Sequence, residues 1–227
     1  MAKTKVEFVC RECGASHHQW AGQCLDCKEW NTLEEIVISQ ATSSKPESLK
    51  DLPASKVQNL TEIKAQNKDR LSTGLSELDR TLGGGLVDGS VVLIGGDPGI
   101  GKSTLILQAL AKLNSDNTTL YVSGEESAEQ VSERAIRLGI KEDILFIGET
   151  HLEKIIKLSK DVKPKVIVID SIQTMVTDLS ASAPGSVTQV RDCAAQLTQY
   201  AKQTNTILLM IGHVTKGGAL AGPRILE

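Results

Sequence analysis

The stretch Gly96-Asp97-Pro98-Gly99-Ile100-Gly101-Lys102-Ser103-Thr104 constrains this chain more than any other. It satisfies the pattern G-x-x-x-x-G-K-S/T at every fixed position. The apolar run Ser90-Val91-Val92-Leu93-Ile94 precedes it, and Leu105 to Leu113, mostly good helix formers, follows it. Strand, glycine turn and helix is the setting in which such a loop holds phosphate. Glycines let backbone N–H groups turn inward toward an anion, and the helix N-terminus adds partial positive charge. On this reading residues Gly96 to Thr104 cradle a nucleotide. Lys102 reaches its β- and γ-phosphates and the Ser103 hydroxyl ligates Mg²⁺. The competing reading is a glycine turn with an incidental lysine.

The segments around this loop alternate in period. Leu75 to Leu82 reads as a short helix ended by Gly83-Gly84-Gly85. Thr118–Val122 and Ile144–Ile147 read as strands, and Val166–Asp170 and Ile207–Ile211 as buried strands. Between them lie helices opened by Ser127 with Gln130, Thr150 with Glu153, and Ser186 with Gln189. The last of these carries the stripe Val190, Ala194, Leu197 and Ala201. Alternating strands and helices predict an α/β fold with a parallel sheet flanked by helices. Ligands of such sheets bind at the carboxyl ends of the strands, where Glu125, Asp170 and His213 fall.

Each of these has a chemical reading and a plain one. Asp170, ending an apolar strand, would lie near Mg²⁺, directly or through water, with Ser171 beside it; it could also cap the next turn. Glu125 and Glu126 are candidates for orienting an attacking water, or acids at a solvated helix start; the plain reading suits Glu126 better. His213 could sense a γ-phosphate or simply sit at the surface. Cys193 reads as a small core residue.

Four of the five cysteines stand in the first 35 residues, as Cys10-x-x-Cys13 and Cys24-x-x-Cys27 with ten residues between the pairs. Two close pairs of thiolates fit one tetrahedral Zn²⁺, with Gly14 and Gly22 supplying turns; a redox pair is the rival. His17 and His18 read as solvated loop residues, and Trp20 and Trp30 as cover for the metal and core for so small a unit. Acidic residues outnumber basic ones here, which favours a structural or protein-docking role over DNA contact. From Val37 to Arg70 the chain turns polar, with Pro46 and Pro53, as a linker would. Its tail, Val57 to Ile63, has apolar spacing that could dock on the next domain. The expected division is a zinc domain over 1–35, a linker over 36–70 and an ATPase-type domain over 71–227.

A net charge of −3 gives no global attraction to nucleic acid or anionic membrane, and aromatics at 3% leave little for a base-stacking platform. No apolar run reaches the length of a membrane span, so a cytoplasmic location without membrane contact is the expectation.

The order of motifs carries a resemblance. It runs from the tetra-cysteine knuckle through Leu71-Ser72-Thr73-Gly74, Gly83-Gly84-Gly85-Leu86 and Gly95 to Thr104. It continues with Tyr121-Val122-Ser123-Gly124-Glu125-Glu126-Ser127 and Val168-Ile169-Asp170-Ser171-Ile172-Gln173-Thr174. Over nearly the whole chain this resembles the bacterial RadA (Sms) family of DNA repair proteins, within the RecA-like ATPases. The resemblance implies a DNA-dependent ATP hydrolase that uses ATP, Mg²⁺ and Zn²⁺ in recombination. It implies branch migration or helicase action on single-stranded and branched DNA. It implies a homo-hexamer for the full-length protein and a recombinase or replicative helicase as possible partner. Lys102, Glu125 and Asp170 would be catalytic, with Glu125 at the catalytic glutamate. His213 would couple the γ-phosphate to DNA-binding loops at Met175–Ser186 and Thr215–Arg224, the second containing Lys216-Gly217-Gly218 and Arg224. The family's Lys-Asn-Arg-Phe-Gly motif and Lon-protease-like domain are not in this sequence, which is expected to be a truncated chain of low activity. Two other functions share the same core: a nucleotide-switched protein adaptor and a signalling ATPase, neither moving on DNA.

Overall fold

The computed structural model describes residues 5–10, 15–38, 59, 70–180 and 182–213. Cys13, most of the expected linker including Val57 and Ile63, and the second loop Thr215–Arg224 lie outside them. The proposed division at 35 and 70 therefore stays a proposal.

The first unit is a three-stranded antiparallel sheet. Strands β1 (Lys5–Cys10), β2 (Ser16–His17) and β3 (Leu33–Ile38) lie in the order β2-β1-β3, with Cys10 opposite Leu33. Its small core joins Cys10, Cys24 and Leu33 to Phe8, Ala15, Ala21 and Cys27. Trp20 and Trp30 do not supply that core, contrary to the sequence reading. They are 61% and 67% exposed, with their rings beside Gly22. The described core of the unit is built on Cys10, Cys24 and Leu33 instead.

The second unit is a five-stranded parallel sheet. It contains β4 (Val91–Gly96), β5 (Thr119–Ser123), β6 (Leu145–Gly148), β7 (Val166–Asp170) and β8 (Ile207–His213), in the order β4-β8-β7-β5-β6. Helix α1 (Ser76–Thr81) leads into β4. Helices α2 (Lys102–Leu113), α3 (Ala128–Arg137), α4 (Leu152–Val162) and α5 (Val187–Thr204) cross between strands. β5 and β7 are buried at every position and β8 at all but His213, as the apolar runs of β7 and β8 require. One core cluster packs α4 and α5 on one face of the sheet, through Ile155, Val190, Leu197, Ile167 and Ile169. The other packs α2 and α3 on the opposite face, through Ile106, Leu110, Val131, Val168 and Leu209. This is the α/β architecture expected from the sequence. Cys193 is fully buried in the first cluster, and burial pushes its thiol up to about 12, so it is a core residue.

The helix starts divide into two kinds. Ser127 caps α3 as the local pattern predicts, with its side chain on the Gln130 N–H and the Gln130 amide returned to the Ser127 N–H. Ser186 likewise accepts from the Gln189 N–H. Thr150 and Glu153 do not cap α4. His151 takes the cap position, and Glu149 reaches forward to accept from the N–H groups of Thr150 and His151 at 2.9 and 3.0 Å. Glu153 is drawn instead to the Thr177 hydroxyl and the Asp178 N–H across the fold.

The His151 N–H, the Lys154 ammonium at 3.0 Å and the Thr150 N–H lower the Glu149 carboxyl from 4.5 to about 2. A carboxyl depressed in the folded state adds stability above its unfolded value and loses it as pH falls toward the folded one. Glu149→Gln mimics the protonated acid. It is expected to lower stability at pH 7 by about 0.5–1 kcal/mol, after allowance for solvent screening at this partly exposed side chain. Urea melts of variant and parent should converge as the pH falls from 4.5 toward about 2.

Candidate functional site

The loop between β4 and α2 has the backbone that its sequence demands. Gly99 and Gly101 hold φ values of 78° and 101°, in the left-handed region where a side chain would be strained. Gly101 is the cap of α2, so the helix opens directly beneath the loop. Lys102, the first residue of α2, is 8% exposed. Its Nζ donates to the carbonyls of Gly96 and Asp97 at 2.7 and 2.8 Å. It also lies 3.4 Å from His213 Nδ1. A lysine folded onto neutral carbonyls in a glycine cradle has no counter-charge among the described residues, so the arrangement fits an anionic phosphate. Ser103 and Thr104 follow in the first turn of α2, half-buried.

The strand register brings the other candidates to the same end of the sheet. Gly96 pairs with His213, and Ser123 pairs with Asp170. His213 Nε2 lies 3.4 Å from Glu125 Oε1. The tautomer with Nε2 protonated lets His213 accept from Lys102 and face Glu125 as a donor. Glu125 Oε1 also accepts from Ser171 Oγ at 2.5 Å, which fixes the carboxylate beside the end of β7. The Asp170–Ser171 peptide is cis. Asp170 is 6% exposed and accepts the hydroxyl hydrogen of Tyr121 on Oδ2. The Ser103 hydroxyl and the Asp170 carboxylate are oxygen donors of the kind Mg²⁺ takes, and the loop offers N–H groups to phosphate, so the residue set fits a magnesium nucleotide.

Glu126 stands apart from Glu125. Arg134 holds its carboxylate with both terminal nitrogens, Nη1 to Oε2 at 2.6 Å and Nη2 to Oε1. That bond to Glu126 raises the Arg134 guanidinium above its ordinary value. The sequence left both acids open for orienting water; in the fold Glu126 is engaged by an arginine and Glu125 faces the site. Between β5 and Glu125, Gly124 has no room for a side chain, because a Cβ would collide with Thr174. Gly124→Ala is expected to cost about 1–3 kcal/mol in thermal or urea melts and to displace Glu125.

The loop Met175–Ser186 leaves the same end of the sheet. Gln189 Nε2 donates to the carbonyls of Thr177, Ser180 and Ser182, and the Thr177 hydroxyl donates to Glu153. The loop contains Asp178 and neither lysine nor arginine.

In the first unit Cys10 Sγ and Cys27 Sγ are 3.6 Å apart, and the ligand atoms of Cys10, Cys24 and Cys27 all lie within 4.8 Å of one another. Tetrahedral zinc with Zn–S bonds of about 2.3 Å has sulfurs about 3.8 Å apart, so the trio fits that ion. Cys13 lies outside the described residues. His17 differs from its sequence reading as a solvated loop residue. It sits on β2 with a 13% exposed side chain, its Nε2 3.5 Å from both Cys24 Sγ and Asp26. His17, Cys24 and Asp26 form a second candidate donor group.

The AAA domain family matches residues 58–219, which include the phosphate loop, Glu125, Asp170 and His213. The chain belongs to the AAA domain family. The Rubredoxin metal binding domain matches residues 8–35, over the cysteine cluster, so this AAA chain also carries a zinc-ribbon unit. Over its whole length the chain is similar to proteins named DNA repair protein RadA. It is 54% identical to that of Pseudomonas aeruginosa, 50% to that of Haemophilus influenzae and 49% to that of Escherichia coli. These identities bear out the RadA resemblance carried by the motif order. The chain spans about half the length of these relatives, 50–51% of each. Among the described residues no helix is long and apolar enough to cross a membrane.

Two contacts at this site escaped the sequence reading, the Tyr121–Asp170 and Arg134–Glu126 pairs. The first joins residues 49 positions apart, and nothing local signals it. Arg134 lies eight positions after Glu126, two helical turns on, where a charge complement could have been sought.

Proposed function

We propose that this chain is the nucleotide-binding part of a DNA repair ATPase of the RadA type. The supporting observation is the gathering of Lys102, Glu125, Asp170 and His213 at the carboxyl ends of adjacent parallel strands, around a glycine loop that fits phosphate. A bound magnesium nucleotide supplies the phosphoryl group and the metal charge. Gly96, Asp97, Pro98, Gly99, Ile100 and Gly101 cradle the phosphates, Lys102 balances their charge, and Thr104 continues the cradle into α2. Ser103 and Asp170 hold Mg²⁺. Glu125, fixed by Ser171 and facing His213, orients water and accepts its proton. His213 would respond to the γ-phosphate; its 3.4 Å approaches to Lys102 and Glu125 support that role. Cys10, Cys13, Cys24 and Cys27 hold one structural Zn²⁺ per chain.

The DNA-directed part of the proposal rests on the relatives' name. Single-stranded or branched DNA would be the polymer, branch migration or helicase action the process, and a homo-hexamer the full-length assembly. A recombinase or replicative helicase would be a possible partner and the cytoplasm the location. With no cation in Met175–Ser186, phosphate contacts fall to Lys216 and Arg224, outside the described residues. The test is steady-state ATP turnover with and without single-stranded DNA, for the 227-residue chain and for a full-length relative. Stimulation of the full-length protein supports the motor. Turnover indifferent to DNA in both supports the adaptor reading.

The zinc assignment has its own test. Cys24→Ser is expected to melt the ribbon, because a small metal domain draws most of its folding free energy from the ion. Nucleotide affinity should stay within about twofold, since the residues named around the phosphate all lie beyond Gly95. Elemental analysis should give one zinc per chain in the parent. A metal-free parent purified under reducing conditions would end this assignment.

A further inference from the structure

We propose that Tyr121 is a positioning residue for the magnesium carboxylate, presenting Asp170 to the nucleotide through its buried hydroxyl; this rests on the assignment of Asp170 to Mg²⁺ above. Tyr121 lies in the middle of β5, fully buried, and its ring stacks on Phe146 of β6 with centroids 6.3 Å apart. β5 pairs with β7 so that Tyr121 faces Val168 and Ser123 faces Asp170. Tyr121 thus reaches along the sheet to the next outward position of the neighbouring strand. Its hydroxyl donates to Asp170 Oδ2.

The neighbourhood explains why such a donor matters. Arg134 lies within electrostatic reach of both Tyr121 and Asp170, and its fork is already closed on Glu126. A carboxylate without Tyr121 would be free to turn toward that guanidinium and away from the metal. The neutral hydroxyl occupies Oδ2 without cancelling the charge of Asp170, leaving Oδ1 outside that bond. Partners that orient a metal ligand in this way typically change metal affinity by about tenfold or more. A purely structural tyrosine would do none of this: it would alter stability and leave magnesium dependence alone.

The experiment is a titration of Mg²⁺ against a fixed concentration of a fluorescent non-hydrolysable ATP analogue. It uses the 227-residue chain, Tyr121→Phe, Asp170→Asn and the double variant, with nucleotide binding in EDTA measured alongside. Phenylalanine fills the same space, and thermal melts check that each variant folds. Replacement of Tyr121 by 4-aminophenylalanine, which keeps a donor at the ring tip, is the rescue. Tyr121→Phe is expected to raise the Mg²⁺ midpoint about tenfold. Binding in EDTA should be unchanged, the amino analogue should restore the midpoint, and the double variant should match Asp170→Asn. A shift in Asp170→Asn with none in Tyr121→Phe overturns the Tyr121 proposal and leaves Asp170 at the metal. No shift in Asp170→Asn overturns the magnesium assignment and the proposal with it.

Discussion

Lys102→Ala is expected to weaken binding of magnesium ATP by about 100-fold, or about 3 kcal/mol. Removing one partner of a desolvated charge pair costs this much because the other charge is left without compensation. Lys102 is 8% exposed, and its Nζ already stands over the loop that would hold the phosphates, so little reorganisation precedes the contact. The folded chain itself should change less. It loses two hydrogen bonds to the carbonyls of Gly96 and Asp97, worth about 1 kcal/mol each, and is relieved of a buried positive charge. Lys102→Arg should not rescue, because a planar fork cannot take the place of a compact ammonium within the loop. Isothermal titration and thermal melts separate the two effects.

Glu125→Gln is expected to keep nucleotide affinity within about twofold and to lower turnover by about 10²–10⁴-fold. The amide accepts the Ser171 hydroxyl bond as the carboxylate does, so the geometry persists, but it takes no proton from water. Glu126→Gln should behave differently. It breaks the two-nitrogen bond to Arg134, and at this half-exposed site costs about 1 kcal/mol of stability. Its effect on turnover should be small. If Glu126→Gln abolished hydrolysis and Glu125→Gln did not, the water-orienting role would pass to Glu126.

What the sequence made legible was mainly what is local. The phosphate loop, its strand and its helix were readable because glycine, lysine and serine at fixed spacing have one physical use together. The strands β7 and β8 were readable because both of their faces are buried, so their apolar runs are long. The strand order β4-β8-β7-β5-β6 was not, because parallel pairing leaves no mark in the turns. At α4 the local pattern misled: Thr150 and Glu153 have cap spacing, but Thr177 and Asp178, remote in sequence, compete for the Glu153 carboxylate and win. Trp20 and Trp30 misled because large aromatics usually go inside; here the cysteines take the small interior. The sequence already leaned to Glu125 over Glu126; Arg134 on Glu126 and Ser171 on Glu125 give that preference its physical reason.

Amide hydrogen exchange with and without magnesium ATP asks whether the loop Gly96–Thr104, Glu125, Asp170 and His213 form one nucleotide site. Saturating nucleotide should slow exchange at Gly99–Thr104, where backbone N–H groups would bind phosphate, and more weakly at Gly124–Glu125 and Ser171. The cavity of about 300 Å³ between α3 and β6, lined by Val131, Ile136, Ile140 and Phe146, should be unchanged. Protection confined to that cavity, with the loop exchanging at its nucleotide-free rate, would show that the nucleotide binds elsewhere and that these residues do not form its site.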